Sequence, residues 1–194
     1  MKSWIILLFI LFTSILDVYS QQYAIKTNLL YDFAAFTPNL GFEVGISEKS
    51  TIDLNAGYNP WNLNKGRNRN KKLVHWIAGV EYKYWFCQRF AGHYLSAKIL
   101  GGKFNINKHK LPLLFGNNSD QYRFQGFAAG GGINYGYQFY LGERWNLETS
   151  IGLGYIRLNY DKYNCAECGV IIGKEKRNYL GPTEVGISVI YLIK

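Results

Sequence analysis

"GFAAGGGINYGYQF", residues 126–139, sets five glycines within eleven residues and beside four aromatic rings. Such a cluster can cradle a phosphate, link two domains, or leave one face of a sheet bare. Sorted by parity, Gly126, Ala128, Gly130, Gly132, Asn134, Gly136 and Gln138 fall on one side. Phe127, Ala129, Gly131, Ile133, Tyr135, Tyr137 and Phe139 fall on the other. Successive side chains of a strand point to opposite faces, so the stretch reads as a small-or-polar face backed by a bulky apolar one. A dinucleotide loop needs G-x-G-x-x-G opening a helix. Both "GGGINY" (130–135) and "GLGYIR" (152–157) lack the last glycine, and no helical period follows either. The stretch is therefore expected to be a strand, the sixth in the chain, with Gly131 marking a kink on its apolar side.

The same alternation runs through "NLGFEVGI" (39–46), "TIDLNAGYN" (51–59), "VHWIAGVEYKYW" (74–85), "WNLETSIGLGY" (145–155) and "TEVGISVIYLI" (183–193). Segments 23–33 and 93–106 are compatible with it, which makes eight strands. Short polar turns fall at 47–50, 87–92 and 141–144, and longer connections at 59–72, 107–121 and 159–178, with a short one at 34–38. Long loops at one end, short turns at the other and strands of about ten residues are the signature of a membrane-spanning sheet closed on itself. The expected fold is all-β, an eight-stranded antiparallel up-and-down transmembrane β-barrel. Eight strands leave an interior filled by side chains, with no open pore.

Charge position separates a soluble barrel from a membrane one. Lys26, Asp32, Glu43, Asp53, Glu81, Lys83, Lys98, Glu148 and Glu184 all fall on the glycine-and-polar face, and the opposite face is nearly free of charge. In a soluble barrel the polar face points out; in a membrane barrel a cation facing lipid at mid-bilayer costs about 2–4 kcal/mol. The charged face is accordingly assigned to the lumen. A charged interior is tolerable only when paired, so Lys26, Lys83 and Lys98 are expected to bridge Glu43, Asp53, Glu81, Glu148 and Glu184. Lys103, Arg123 and Arg157 sit on the outward parity beside long loops, so they belong at the outer rim. There they meet lipopolysaccharide phosphates or snorkel to water. The loop "NPWNLNKGRNRNKK" (59–72) adds Lys65, Arg67 and Arg69, either as a solvated segment or as a second contact with lipopolysaccharide. Tyr23, Tyr84, Tyr137, Trp145 and Tyr191 fall near the turn end, and Tyr31, Tyr58, Trp76, Tyr155 and Tyr179 near the loop end, as two aromatic girdles.

The first twenty residues read as a leader. Lys2 gives a positive start, "WIILLFILFTSIL" (4–16) is an apolar run too short to span a bilayer, and Val18 and Ser20 suit a cleavage site. Domain organisation is then a signal peptide over 1–20 and one domain over 21–194. The net charge of +9 on an exported chain points to an anionic cell surface and away from nucleic acid.

Chemistry-bearing motifs are few. "CAEC" places Cys165 and Cys168 in the last long loop, as a small disulfide or two thiols; a redox pair would open a helix, and a zinc site needs further ligands. His75, His93 and His109 have no local spacing to supply them. Cys87 lies by a turn at the other end. In "HYLS", His93 and Ser96 are three apart, on opposite faces of a strand, and no nucleophile–base pair is visible. No cofactor is expected, and the chain is read as a non-enzyme.

Several strings, "IKTNLLYD", "DLNAGYNPW", "YWFCQRFAGHY", "GYQFYLGERWNLE" and the terminal "YLGPTEVGISVIYLIK", resemble a family of uncharacterised Bacteroidota proteins, domain of unknown function family 3575. The resemblance runs from about Ala24 to Lys194. It implies an exported Gram-negative outer-membrane barrel, often encoded near surface-fimbria genes, with no established activity. The expected role is structural or surface-interaction, accessory to envelope or fimbrial assembly. Expected partners are outer-membrane lipid and lipopolysaccharide, the barrel-assembly machinery, and surface or fimbrial proteins. The alternatives are a lipid A-modifying outer-membrane enzyme and a soluble lipocalin-like ligand binder.

Overall fold

The structure, a computed structural model, describes residues 23–63, 71–116, 119–164 and 169–193. Eight strands carry it: β1 (Tyr23–Asn28), β2 (Asn39–Ser47), β3 (Ser50–Asn59), β4 (Lys71–Trp85), β5 (Gly92–Asn107), β6 (Arg123–Tyr140), β7 (Trp145–Tyr163) and β8 (Ile171–Ile193). Each pairs antiparallel with its neighbours in the chain, and β8 returns to pair with β1, so the eight strands form a ring without crossovers. A two-residue strand, Asn62–Leu63, adds a fringe beside Lys71 and Lys72. Among the described residues no helix is long and apolar enough to cross a membrane.

The quoted stretch lies in β6, in unbroken register with β5 on one side and β7 on the other. Gly131 pairs with Ile99 and Tyr155 without any register shift. Its glycine answers a close approach: a β-carbon there would sit 2.8 Å from the Lys98 carbonyl oxygen. Gly136, on the inner face, lies under the Tyr94 ring, which a β-carbon would overlap.

Alternation turns the apolar side outwards. In β4, Glu81, Lys83 and Trp85 are buried while Val80, Tyr82 and Tyr84 are exposed. Around the wall Leu40, Leu54, Ile99, Ile133, Ile151, Leu153 and Val185 are between 51% and 67% exposed, whereas Glu43, Asp53 and Lys83 are at 0%.

Three segments depart from the sequence expectation. Strand β1 stops at Asn28, and residues expected to continue it form helix α1 (Leu29–Ala34). The Asn28 side chain accepts from the Leu30 and Tyr31 amides, capping the helix. Asp32 then binds Thr27 at 2.7 Å and Asn39 at 2.8 Å, which folds α1 back over the loop end of the ring. Tyr31 thus leaves the outer wall. The connection expected over 107–121 holds helix α2 (Pro112–Phe115), begun by a proline that needs no amide partner there, and a single 3-10 turn at Ser119–Gln121. The loop expected over 159–178 is largely hairpin, since β7 and β8 stay paired out to Tyr163 and Ile171.

A bulge in β8 has the widest consequence. Gly152 pairs with Glu184 but Leu153 pairs with Pro182, so Thr183 is an extra residue. Below it the even residues Glu184, Gly186 and Ser188 face inwards; above it the odd residues Glu175, Arg177 and Tyr179 share the face of the inward residues of β7. Tyr179, expected in the outer girdle, lies on the inner face, its hydroxyl donating to the Pro182 carbonyl at 3.0 Å.

Candidate functional site

Five carboxylates and three ammonium groups meet inside the ring. Register places Glu43, Asp53, Glu81 and Lys98 side by side on β2, β3, β4 and β5. Like charges directly opposite one another on paired strands repel, so cations must reach between them. Lys26 of β1 does so, paired with Asp53 and lying 3.4 Å from Glu148 Oε1 and 3.9 Å from Glu43 Oε2. Lys83 of β4 bridges Glu43 Oε2 at 3.0 Å and Glu148 Oε2 at 2.5 Å. Lys98 of β5 reaches Glu184 Oε2 at 2.8 Å.

Neutral groups complete the shell. Ser96 donates to Glu81, and the Asn134 amide joins Glu81 to Glu184 at 2.8 and 3.2 Å. Thr51 donates to Glu43 and in turn accepts from the Trp85 indole at 3.0 Å. Lys83 Nζ also lies 4.5 Å from the Tyr94 ring centre, a cation–π contact in a dry setting. Eight of the nine charged residues assigned to the lumen from parity are brought together in this network; the ninth, Asp32, sits on α1 and binds Thr27 and Asn39 instead.

Above and below it apolar clusters fill much of the interior, beside buried polar side chains such as Gln138 and Asn146 at the turn end and Asn59 and Asn107 at the loop end. At the turn end Ala24, Phe90 and Ile190 pack together, with Trp85 4.8 Å from Tyr94. At the loop end Phe104, Ile106, Phe124, Leu158 and Tyr160 are buried, and Phe115 of α2 stacks on Phe124 at 4.4 Å. Sequence reasoning missed this upper cluster. Its members share the inward parity of the glycines and charges, and that run of bulky apolar residues was the available signal. Between the layers a cavity of ≈ 230 Å³ is lined by Lys26, Tyr31, Asp53, Glu81, Lys98 and Glu184 among others.

The outer rim divides the three cations expected there. Arg123 is held by its neighbours: Nε donates to Asn105 at 3.0 Å, Nη2 to Gln125 at 2.7 Å, and the guanidinium lies over Tyr163. Lys103 and Arg157 are exposed on the outer wall of β5 and β7. Lys65, Arg67 and Arg69 lie outside the described residues, as do Cys165, Cys168 and the expected leader.

The remaining candidate chemistry is dispersed. His93 faces outwards, its Nδ1 2.6 Å from the Tyr135 hydroxyl, while Ser96 points inwards to Glu81. His75 Nδ1 lies 2.9 Å from the Leu73 carbonyl and so donates, leaving Nε2 to accept. Tyr31, 3.3 Å from that nitrogen, donates to it; Thr37 lies 3.4 Å away but is fully buried and gives its one hydroxyl proton to the Ala35 carbonyl. Cys87 is an exposed free thiol. Among the described residues no group of three or more His, Cys, Asp or Glu is arranged to hold a metal.

Fold and site define an all-β class, a ring of eight antiparallel strands with charged side chains inside and apolar side chains outside. A family model described as a protein of unknown function, DUF3575, matches residues 6–193, and the chain belongs to that family. No curated protein and no solved structure matches the chain.

Proposed function

We propose that the protein is an outer-membrane β-barrel whose role is structural or surface-interacting, accessory to envelope or fimbrial assembly. One observation carries the reading: the apolar residues of the wall face out while Glu43, Asp53, Glu81, Lys83 and Glu148 are buried. Water would penalise that arrangement on both faces, whereas a bilayer solvates the outer wall and strand pairing satisfies the backbone around the ring. Tyr84, Tyr135, Tyr140 and Trp145 near the turn end, and Tyr58, Trp76 and Tyr155 near the loop end, suit the two interfaces. The leader directs export, the barrel-assembly machinery inserts the chain, and Lys103 and Arg157 meet lipopolysaccharide at the outer rim.

The packed interior favours a scaffold over a conduit. Ion pairs at mid-height and aromatic layers at both ends fix the wall, so exchange with partners falls to the outer surface and loops. Membrane fractionation tests the reading. Recovery only with detergent, and a gel mobility that changes on heating, are expected. Recovery in the aqueous periplasm without detergent and without a heat-dependent shift contradicts it.

A further inference from the structure

A trough crosses the outer wall. Strand register sets Ala56, Ala78, Gly101 and Ala129 side by side on β3, β4, β5 and β6. Four adjacent small residues leave a depression roughly 14 Å long at the usual strand spacing. Leu54, Val80 and Ile99 form its lower bank, and its part from Ala56 to Gly101, continued past Leu40 and Phe42, has a volume of ≈ 570 Å³. Tyr58, Trp76, Lys103 and Phe127 form the upper bank, where a second groove of ≈ 770 Å³ opens towards Asn159 and Lys176.

Charge selects the occupant. Lys103 stands on the upper bank, and Arg157, paired with Ala129, closes one end. The two are exposed, two strands and roughly 10 Å apart across the sheet. An apolar floor with two separated cations above it complements a molecule having alkyl chains and two separated anions.

We propose that this trough seats one acyl chain of a diphosphorylated glycolipid, the lipid A part of lipopolysaccharide, with its phosphates on Lys103 and Arg157. The inference rests on the outer-membrane reading and gives the rim contact a defined site. An ordinary lipid-facing wall is covered by bulky side chains and exchanges its lipids freely. Here the absent side chains create shape that a chain fills with dispersion contacts.

Native mass spectrometry of the full chain, released in mild detergent and titrated with purified lipid A or with phosphatidylglycerol, tests it. One lipid A is retained, in preference to phosphatidylglycerol. Gly101→Val fills the floor; a β-carbon there meets only the Phe127 ring and the Ala128 carbonyl, no nearer than 3.6 Å. Combined with Ala78→Leu, it reduces retention about tenfold or more, through lost chain contacts. Lys103→Ala and Arg157→Ala each weaken it about fivefold. Equal retention by the filled variant, or equal affinity for phosphatidylglycerol, overturns the proposal while a heat-dependent gel shift keeps the membrane reading standing. Loss of that shift in the unaltered chain overturns both.

Discussion

Lys83 Nζ lies 3.0 Å from Glu43 Oε2, and both side chains are wholly buried. The pair joins β4 to β2 across the interior, past the intervening β3, and Glu148 of β7 closes on the same ammonium from the far wall. Lys83 thus ties three strands that do not pair with one another.

Replacing Lys83 with Met leaves Glu43 and Glu148 without that partner, and a buried charge stripped of its partner costs about 3–5 kcal/mol. The unfolding midpoint in urea, in detergent micelles, is expected to fall accordingly. Adding Glu43→Gln and Glu148→Gln removes the orphaned charge and restores most of the loss. No recovery in the triple variant contradicts a role through charge pairing.

Two glycines are expected to behave oppositely. At Gly136 a β-carbon overlaps the buried Tyr94 ring, so Gly136→Val overpacks the turn end at a cost of about 1–3 kcal/mol. At Gly101 a β-carbon finds only ordinary contacts, so Gly101→Val leaves the midpoint close to that of the unaltered chain. Denaturant titration of the two variants side by side reads the difference.

Ile133 is outward and exposed at mid-wall. Ile133→Lys places a cation against hydrocarbon, costing about 2–4 kcal/mol and lowering the yield of the heat-modifiable form. Asn159→Lys, on the outward face of β7 with Asp161 two residues further along, is expected to assemble normally. Equal yields from both would contradict a lipid-facing wall at Ile133.

His109, in the connection between β5 and β6, is held below the ordinary imidazole value by burial, with the Lys71 ammonium adding to the effect. Its folded form therefore prefers neutrality. The associated stability is present above the unfolded value of about 6.5 and is lost as pH falls below it. An NMR titration should give a midpoint for His109 below that of the denatured chain; a midpoint at or above it contradicts the placement.

Parity along β6 was enough to read inside from outside, because pairing on both sides keeps a strict two-residue period from Arg123 to Gln138. The same rule located Lys26, Glu43, Asp53, Glu81, Lys83, Lys98, Glu148 and Glu184 on the inner face. It failed where the period breaks. The extra Thr183 reverses β8 above the bulge, and nothing in "YLGPTEV" states which residue goes unpaired. It failed also at Leu29–Ala34, whose apolar run suits strand or helix equally until Asn28, Asp32 and Asn39 are in contact. Phe104, Phe124 and Tyr160 carried the right parity but the wrong chemistry for a polar lumen; only packing against Phe115 from α2 accounts for them.

The central claim is that hydrocarbon, not water, covers the outer wall. Spin labels attached through single cysteines at Leu153 and at Asn159, with the native cysteines replaced, read this in reconstituted bilayers. At Leu153 collisions with dissolved oxygen are expected to exceed those with a water-soluble nickel complex, and at Asn159, six residues higher on the same strand beside Lys176, the order reverses. A nickel-dominated signal at Leu153 would contradict the account.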